Sequence, residues 1–521
     1  MLNRQLLRQY YIGTLSATAF FMPLSVWLLT FFIIAMLLIW LADGGLMRIS
    51  GLKKDKIAIL IFSGTYFVYI IWMINTTDIG SGLRELELKL PLLVFPLVIG
   101  LSDPLNKKEM KTVLSFFIAG VVLSSLIGFI AWSFGKDISY IDNPRKISLF
   151  ISHIRLALMT NLSVVCSAWY YVSDTTGKTK FIYLISVIWL SVFLFLLLSV
   201  TGIIIFAFLL FILLFLIVRK SGSAILKTGL VLFVIALIFS TGMYISGEIK
   251  AYYKKGNAYS YPLKEKTANG NAYIHYTDRK DIENGNPVWI YLNEKELRRE
   301  WNLRSSINYD SIDLKKQTLR YTLIRYLTSA GLTKDSAGLA KLRKDDIRFI
   351  ENGITNKLFT EGKPVKSKIY EIIWQIDYYL NGGNPSGHSV TQRIEYFKKG
   401  WHLFEDNVLT GTGTGDVKNE FANQFRKEKS NLGPEFIYMP HNQYLTFLIS
   451  FGISGFLIIC CSIFIPVIIK KAFRSFLFNI FFIIVLFSML GEDTLETHTG
   501  VSFFAYFYSL FVFGKIEDEF I

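Results

Sequence analysis

"MPHNQYLTFLISFGISGFLIICCSIFIPVI", residues 439–468, joins a short polar start to a long apolar run. No charged residue interrupts the run from Tyr444 to Ile468. A helix needs about 20 mainly apolar residues to cross a bilayer, and this run is long enough. The stretch therefore predicts a transmembrane helix that begins directly after Pro440, His441 and Asn442.

Similar runs recur along the chain, in which 52% of residues are hydrophobic and 16% are aromatic. The sequence therefore predicts an all-α polytopic membrane protein with about 12 transmembrane helices. Pro23 interrupts the first run, which we expect to form two short helices. The predicted spans are residues 11–23, 24–42, 57–74, 88–102, 112–134, 150–172, 180–200, 202–218, 227–245, 442–468, 475–490 and 499–514.

One long polar segment, about 246–440, separates spans 9 and 10. Basic residues concentrate in alternate connections, such as 48–56, 107–111 and 470–474, and positive residues favour the cytoplasmic side. We therefore expect both termini in the cytoplasm and the long segment outside. Three- and four-residue spacing of apolar residues, as in "SKIYEIIWQIDYYL", predicts that this segment is mainly helical.

The predicted domains follow from this pattern. Residues 1–245 hold transmembrane helices 1 to 9, residues 246–440 form the outer loop domain, and residues 441–521 hold helices 10 to 12 and a cytoplasmic tail. The net charge of +15 is shared between cytoplasmic connections and the outer loop. It indicates contact with membrane lipid or a phosphate group and does not predict nucleic-acid binding.

Several classes of site are missing from the sequence. It has no Walker loop, no dinucleotide fingerprint, no HExxH motif and no recognisable metal ligands, so we expect neither a cofactor nor a metal. Charges inside the spans are few, which argues against an ion-coupled transporter.

Two polar clusters border the spans. His441 lies at the start of a helix, where the positive end of the helix dipole favours a neutral ring that can accept a proton. The alternative is that His441 and Asn442 only cap the helix.

The second cluster is "TQRIEYFKKGWHLFEDNVLTGTGTGD", residues 391–416. Arg393 precedes Gly411, Gly413 and Gly415, and an arginine fork with glycine amides could hold a pyrophosphate. The alternative is a solvated helix followed by a flexible loop.

In this order, Arg393, "DNVLTGTGTGD" and "HNQYLTFLISFGISGF" resemble the C-terminal signature of the O-antigen ligase and polymerase superfamily. The ending "MLGEDTLETHTGVSFFAYFYSLF", residues 489–511, is similar to the last outer loop and final span of the ligases. The resemblance covers about 390–512, and the span pattern extends it more loosely.

The resemblance implies a metal-independent, inverting glycosyltransferase of the bacterial inner membrane. Ligases of this family move a glycan from undecaprenyl pyrophosphate to a sugar hydroxyl of lipid A core at the periplasmic face. His441 then matches the general base, Arg393 matches an arginine that holds the donor pyrophosphate, and Asn442 would fix the turn or orient the acceptor.

The sequence departs from the family at one point. Many members carry a serine and arginine pair between spans 7 and 8, but here Val200 and Thr201 follow Ser199. Span 6 opens with "ISHIRLALM", which puts His153 and Arg155 at the same predicted depth. Arg155 could supply the missing phosphate contact, or it could reach toward lipid headgroups.

Two other functions stay open. A polymerase of the same family would join lipid-linked repeat units, and a glycan flippase or transporter would move the glycan without chemistry. The part of the insert from about 250 to 385 has no recognisable counterpart.

Overall fold

The computed structural model describes residues 4–45, 47, 56–134, 144–173, 177–220, 223–254, 263–279 and 281–514. The basic residues of 48–55 and the predicted tail at 515–521 lie outside these ranges. The chain divides into two compact units, Met1–Lys220 with Arg393–Ile521, and Ser221–Gln392. The predicted domain boundaries at 245/246 and 440/441 stay predictions.

The first unit is built from helices joined by short connections. They are α1 (Arg4–Phe21), α2 (Val26–Ala42), α3 (Ile57–Ile71), α4 (Ile79–Lys89), α5 (Pro91–Leu101), α6 (Lys107–Phe134), α7 (His153–Ser173), α8 (Gly177–Leu196) and α9 (Val200–Lys220). After the second unit follow α17 (Val417–Lys427), α18 (Gln443–Ile469), α19 (Phe476–Gly491) and α20 (His498–Val512).

The second unit begins with α10 (Ala224–Tyr253) and continues with a short antiparallel pair, β1 (Ile282–Glu283) and β2 (Asn286–Pro287). Its remaining helices are α11 (Glu294–Arg304), α12 (Leu319–Ser329), α13 (Ser336–Ala340), α14 (Lys344–Glu351) and α15 (Pro364–Leu380). The boundary between the units falls within α16 (Ser389–Asp406).

Apolar helices confirm a mainly helical, multi-pass membrane protein. Within the described residues, six helices are long and apolar enough to cross a bilayer: Ile57–Asn75, Lys107–Phe134, His153–Ser173, Thr179–Leu196, Ala224–Tyr253 and Gln443–Ile469. Three shorter apolar helices are Val26–Ala42, Val200–Leu216 and Phe476–Gly491. Each predicted span coincides with a helix, whereas the number twelve stays a prediction because several of these helices are short.

The last helix, α20, lies at the centre of the first unit. Every residue from Thr499 to Val512 is buried, and the helix packs against α4, α5, α7 and α19. Its buried tyrosines have acceptors, since Tyr506 donates to the carbonyl of Leu15 at 2.8 Å and Tyr508 to that of Ile463 at 2.6 Å. These bonds satisfy hydroxyls for which an apolar interior offers no water.

Helix α18 is broken at Gly452, where φ is 62° and ψ is −170°. The loop at 407–416 packs into the break and replaces the lost helical hydrogen bonds. The N–H of Thr412 donates to the carbonyl of Ile449 at 2.8 Å, and the N–H of Ile453 donates to the carbonyl of Val408 at 2.8 Å. Backbone groups at membrane depth need such partners, so the loop and the broken helix form one structural element.

The second unit has a small core in its polar part. Trp301, Tyr309, Leu323 and Tyr326 are fully buried together with residues of α13 and α14. The segments 271–277 and 287–292 lie side by side. They share the bridge between Ile274 and Leu292, and the N–H of Tyr276 donates to the carbonyl of Trp289 at 2.8 Å. Asn381 is the C-cap of α15, and Gly382 follows with φ of 83°, a left-handed conformation common directly after a helix.

Candidate active site

The loop 492–497, "EDTLET", connects α19 to α20 and carries three acidic residues. We call it the acidic loop. Glu492 and Asp493 are buried, with 3% and 5% of their surface exposed. Buried carboxylates require partners, and these partners identify the site.

His441 lies one residue before the cap of α18. Its φ is 54°, in the left-handed region that residues other than glycine seldom adopt. Its backbone N–H donates to Oδ2 of Asp493 at 2.7 Å. The acidic loop therefore holds the backbone from which the imidazole projects.

Asn442 is the N-cap of α18. Its Oδ1 accepts a hydrogen bond from the N–H of Leu445 at 3.0 Å, and its Nδ2 donates to the carbonyl of Leu490 at 3.1 Å. Asn442 therefore caps α18, and the side chain of His441 does not contribute to the cap.

The His441 ring contacts Glu492 and Tyr396. Its Nδ1 lies 3.5 Å from Oε2 of Glu492, an ion-pair distance that is longer than a normal hydrogen bond. The ring centroids of His441 and Tyr396 are 5.6 Å apart. The histidine side chain is 31% exposed, so an outside molecule can reach an imidazole beside a buried carboxylate.

Glu492 joins His441 to Arg393. Its Oε1 accepts a hydrogen bond from Nη2 of Arg393 at 2.6 Å. Burial opposes ionisation of Glu492, but its contact with His441 and the positive charges of Arg393 and Arg155 outweigh it and hold the pKa of Glu492 below its usual range. Glu492 is therefore an anion at neutral pH, and it fixes both side chains.

Arg155 reaches the same loop from the start of α7. Its Nη2 donates to the backbone carbonyl of Asp493 at 3.0 Å, and its Nη1 contacts Oγ of Ser152 at 3.4 Å. Among the described residues, no carboxylate lies within 4.0 Å of this guanidinium. Arg155 thus brings a positive charge to the site without a carboxylate directly paired to it.

The other carboxylate, Asp493, accepts a hydrogen bond from Oγ1 of Thr446 at 2.6 Å in addition to that from His441. Burial raises the pKa of Asp493, and the nearby charge of Glu496 adds to this effect. Its bonds are to the backbone of His441 and to a hydroxyl, so Asp493 shapes the turn.

Lys89 and Gln443 anchor the far end of the acidic loop. Nζ of Lys89 is fully buried and donates to the carbonyl of Leu495 and to Oε2 of Glu496, both at 2.6 Å. The amide of Gln443 donates to Oε1 of Glu496 at 2.8 Å and accepts from the N–H of Leu495 at 2.7 Å. These bonds fix the position of Glu492 relative to α18.

The structure thus brings His441, Asn442, Arg393 and Arg155 together around the acidic loop. His153 is the first residue of α7, and Arg155 lies two positions further along the helix. Helical residues at that spacing do not share a face, so His153 and Arg155 project in different directions.

The three glycines of 411–415 belong to the loop that packs into the break in α18. The amides of Gly411, Gly413 and Gly415 donate to the carbonyls of Asn407 and Ser450 and to Oγ1 of Thr76. Gly411 and Gly413 also have positive φ values of 65° and 100°. All three amides already have protein acceptors, so we assign these glycines to packing and leave them out of the proposed donor site.

Sequence reasoning missed Glu492, Asp493 and Lys89 as site residues. The signal was present, because charged residues next to apolar spans are costly unless they are paired. The quoted ending of the chain contains both acids, but their partners lie far away in the sequence. Within the described residues, no group of three or more His, Cys, Asp or Glu side chains could hold a metal ion.

Comparison with known proteins identifies a family for part of the chain. No curated protein matches the chain. Residues 352–460, which include Arg393 and His441, match the family model described as "O-Antigen ligase". The predicted resemblance to the O-antigen ligase and polymerase superfamily is therefore confirmed for residues 352–460. The match begins before the predicted start at about 390, so residues 352–385 have a counterpart that the sequence analysis did not recognise.

Proposed function

We propose that the chain is an O-antigen ligase. It transfers a glycan from undecaprenyl pyrophosphate to a sugar hydroxyl of lipid A core, without a metal and with inversion at the anomeric carbon. The reaction takes place at the periplasmic face of the bacterial inner membrane, with both termini in the cytoplasm. The observation that carries the proposal is Glu492, which holds an accessible imidazole and an arginine on its two oxygens.

In this mechanism His441 is the general base. The acceptor hydroxyl loses its proton to the imidazole as its oxygen attacks the anomeric carbon, and the bond from that carbon to the pyrophosphate oxygen breaks. Glu492 stabilises the imidazolium that forms, in the way a carboxylate does beside a catalytic histidine. A positioned base contributes about 10²–10⁴-fold in rate.

Arg393 and Arg155 hold the leaving pyrophosphate. Arg393 has five N–H donors, of which one bonds to Glu492, and 49% of its side chain is exposed. Among the described residues, Arg155 donates to two neutral oxygens, the hydroxyl of Ser152 and the carbonyl of Asp493. Two guanidinium groups can therefore neutralise charge that develops on the leaving oxygen, which is where such groups lower a barrier most.

A reconstituted reaction tests the proposal. Purified chain in nanodiscs is mixed with undecaprenyl-pyrophosphate-linked polymer and core lipopolysaccharide that lacks the glycan, in buffer with EDTA. We expect glycosylated core, and we expect His441→Ala to bind the donor about normally while turning over at least about 100-fold more slowly. His402→Ala, an exposed histidine paired with Glu428, is the matched control and should keep full activity.

The polymerase alternative has a different product. A polymerase would lengthen glycan on undecaprenyl pyrophosphate from single lipid-linked repeats and would leave the core unmodified. That product distribution would replace the ligase assignment. Unchanged turnover in His441→Ala would instead remove the proposed base.

A further inference from the structure

The second unit contains a cavity of about 450 Å³ between α10, α15 and residues 278, 279, 281 and 282. Asp278, Arg279, Asp281, Trp374, Asp377 and Asn381 are among the residues that line it. Cavities of about 300–1,000 Å³ are typical of small-molecule sites. We propose that this cavity binds one or two sugar units of a neutral or amino-bearing glycan.

The aromatic wall of the cavity is held in place by its neighbours. The rings of Trp374 and Tyr378 stack with centroids 5.1 Å apart and an interplanar angle of 9°. The guanidinium of Arg325 lies 4.0 Å from the centroid of the Trp374 ring. Tyr378 and Arg325 occupy the faces of the Trp374 ring and fix it, so the lining offers a ligand an apolar surface that loses no further freedom on binding.

The polar lining matches sugar hydroxyls, which both donate and accept hydrogen bonds. Asp377 already accepts from the hydroxyls of Tyr253 at 2.8 Å and Tyr252 at 3.1 Å, which fixes its carboxylate. Asn381 donates to the carbonyl of Asp377 at 2.8 Å, and its Oδ1 accepts no hydrogen bond from a described residue. The wall therefore presents a fixed anion and an amide acceptor to a ligand.

Arg279 is the donor opposite these acceptors. Its guanidinium lies 4.5 Å from the ring centroid of Trp289 and 5.2 Å from that of Tyr276. In the described part of the chain, no carboxylate pairs with it within 4.0 Å. The aromatic rings therefore position Arg279 while its N–H donors stay available to a ligand.

The charged side chains that line the cavity determine which charge its ligand can carry. Among the described lining residues, Asp278, Asp281 and Asp377 outnumber Arg279, so this part of the lining is net negative. A lining of this sign repels a pyrophosphate or an acidic sugar and accepts neutral or amino-bearing units. The ligand is therefore the carbohydrate itself, and its identification with the transferred glycan rests on the proposed function.

Equilibrium binding to the purified full chain in detergent tests this site. The probes are an array of lipid-free oligosaccharides with neutral, amino-bearing and acidic members, and inorganic pyrophosphate. We expect binding of neutral or amino-bearing members, and we expect Arg279→Ala and Asn381→Ala each to weaken it at least about tenfold. A tenfold loss corresponds to about 1.4 kcal/mol, which is the scale of one lost hydrogen bond.

Arg348→Ala is the matched control, since Arg348 is an exposed arginine of the same unit outside the cavity. No binding to any array member, or equal binding by wild type, Arg279→Ala and Asn381→Ala, would overturn the inference. His441→Ala separates the two proposals, because it should bind the array normally and fail in transfer. Binding that depends on Arg279 in a chain without transfer activity would refute the proposed function and leave this site standing.

Discussion

At the scale of single residues, the two carboxylate oxygens of Glu492 have different partners. One lies near Nδ1 of His441 and the other accepts a hydrogen bond from Arg393. A donor pyrophosphate would compete with Glu492 for Arg393. Glu492 is therefore a positioning residue, whereas His441 and Arg393 would touch the substrates.

Glu492→Gln tests this positioning role through pH. The pKa of Glu492 is lowered in the folded chain, so its ionisation stabilises the fold above its unfolded pKa, and this stabilisation is lost as pH falls through the folded pKa. We expect Glu492→Gln to lower the free energy of unfolding at pH 7 by about 1–3 kcal/mol. The variant should therefore unfold at a lower temperature than wild type. The difference should shrink as the pH falls below about 4, the usual range of a glutamate.

Thermal unfolding in detergent at a series of pH values measures this effect. Glu435→Gln, at an exposed glutamate of the same unit, is the control and should follow wild type throughout. A constant gap between Glu492→Gln and wild type down to acid pH would show that the charge of Glu492 is not the source of the stability.

Arg155→Lys tests the second guanidinium. Lysine keeps the charge but cannot form two parallel hydrogen bonds to a phosphate. We expect weaker donor binding and slower transfer, measured with labelled lipid-linked donor, while Arg426→Lys at an exposed arginine should match wild type. Full activity and donor affinity in Arg155→Lys would show that Arg155 does not bind the donor phosphate as a two-pronged guanidinium. Its role would then be the hydrogen bond with the acidic loop.

At the scale of elements, the broken helix α18 and the loop at 407–416 depend on each other. A Cβ at Gly413 would lie 2.7 Å from the carbonyl oxygen of Asn75, and the φ of 100° disfavours any other residue. We expect Gly413→Ala to lower the free energy of unfolding by at least about 1–3 kcal/mol. Gly13→Ala in α1, where a Cβ would meet nothing within 4 Å, should change the unfolding temperature little.

Thermal unfolding of both variants in the same detergent gives the comparison. Equal unfolding temperatures for Gly413→Ala and Gly13→Ala would mean that the loop does not support the break in α18.

The positions of the apolar helices could be predicted because each one is encoded by its own residues. Pro23 lies in the turn between α1 and α2, and Asn442 caps α18. The break at Gly452 could not be predicted, because its backbone partners come from a distant loop. For the same reason, sequence order identified His441, Arg393 and Arg155 as candidates but did not reveal Glu492, whose role appears only when three distant segments meet.

At the scale of the whole molecule, the predicted orientation assigns opposite sides of the membrane to two exposed lysines. Lys344 lies in the insert, and Lys108 lies in the first turn of α6, next to other basic residues. We expect Lys344→Cys to react with a membrane-impermeant maleimide in intact spheroplasts and Lys108→Cys to react only after lysis. The wild-type chain, with Cys166, Cys460 and Cys461 in its apolar helices, gives the background. The opposite labelling pattern would invert the predicted topology.

Mass analysis of lipopolysaccharide and lipid-linked glycan in a strain that lacks the gene tests whether the chain is a ligase. We expect core lipopolysaccharide without its glycan and long polymer retained on undecaprenyl pyrophosphate. Reintroducing the wild-type gene should restore the glycan on the core, whereas His441→Ala at equal protein level should not. Accumulation of single lipid-linked repeats, or unchanged lipopolysaccharide, would contradict the assignment as a ligase.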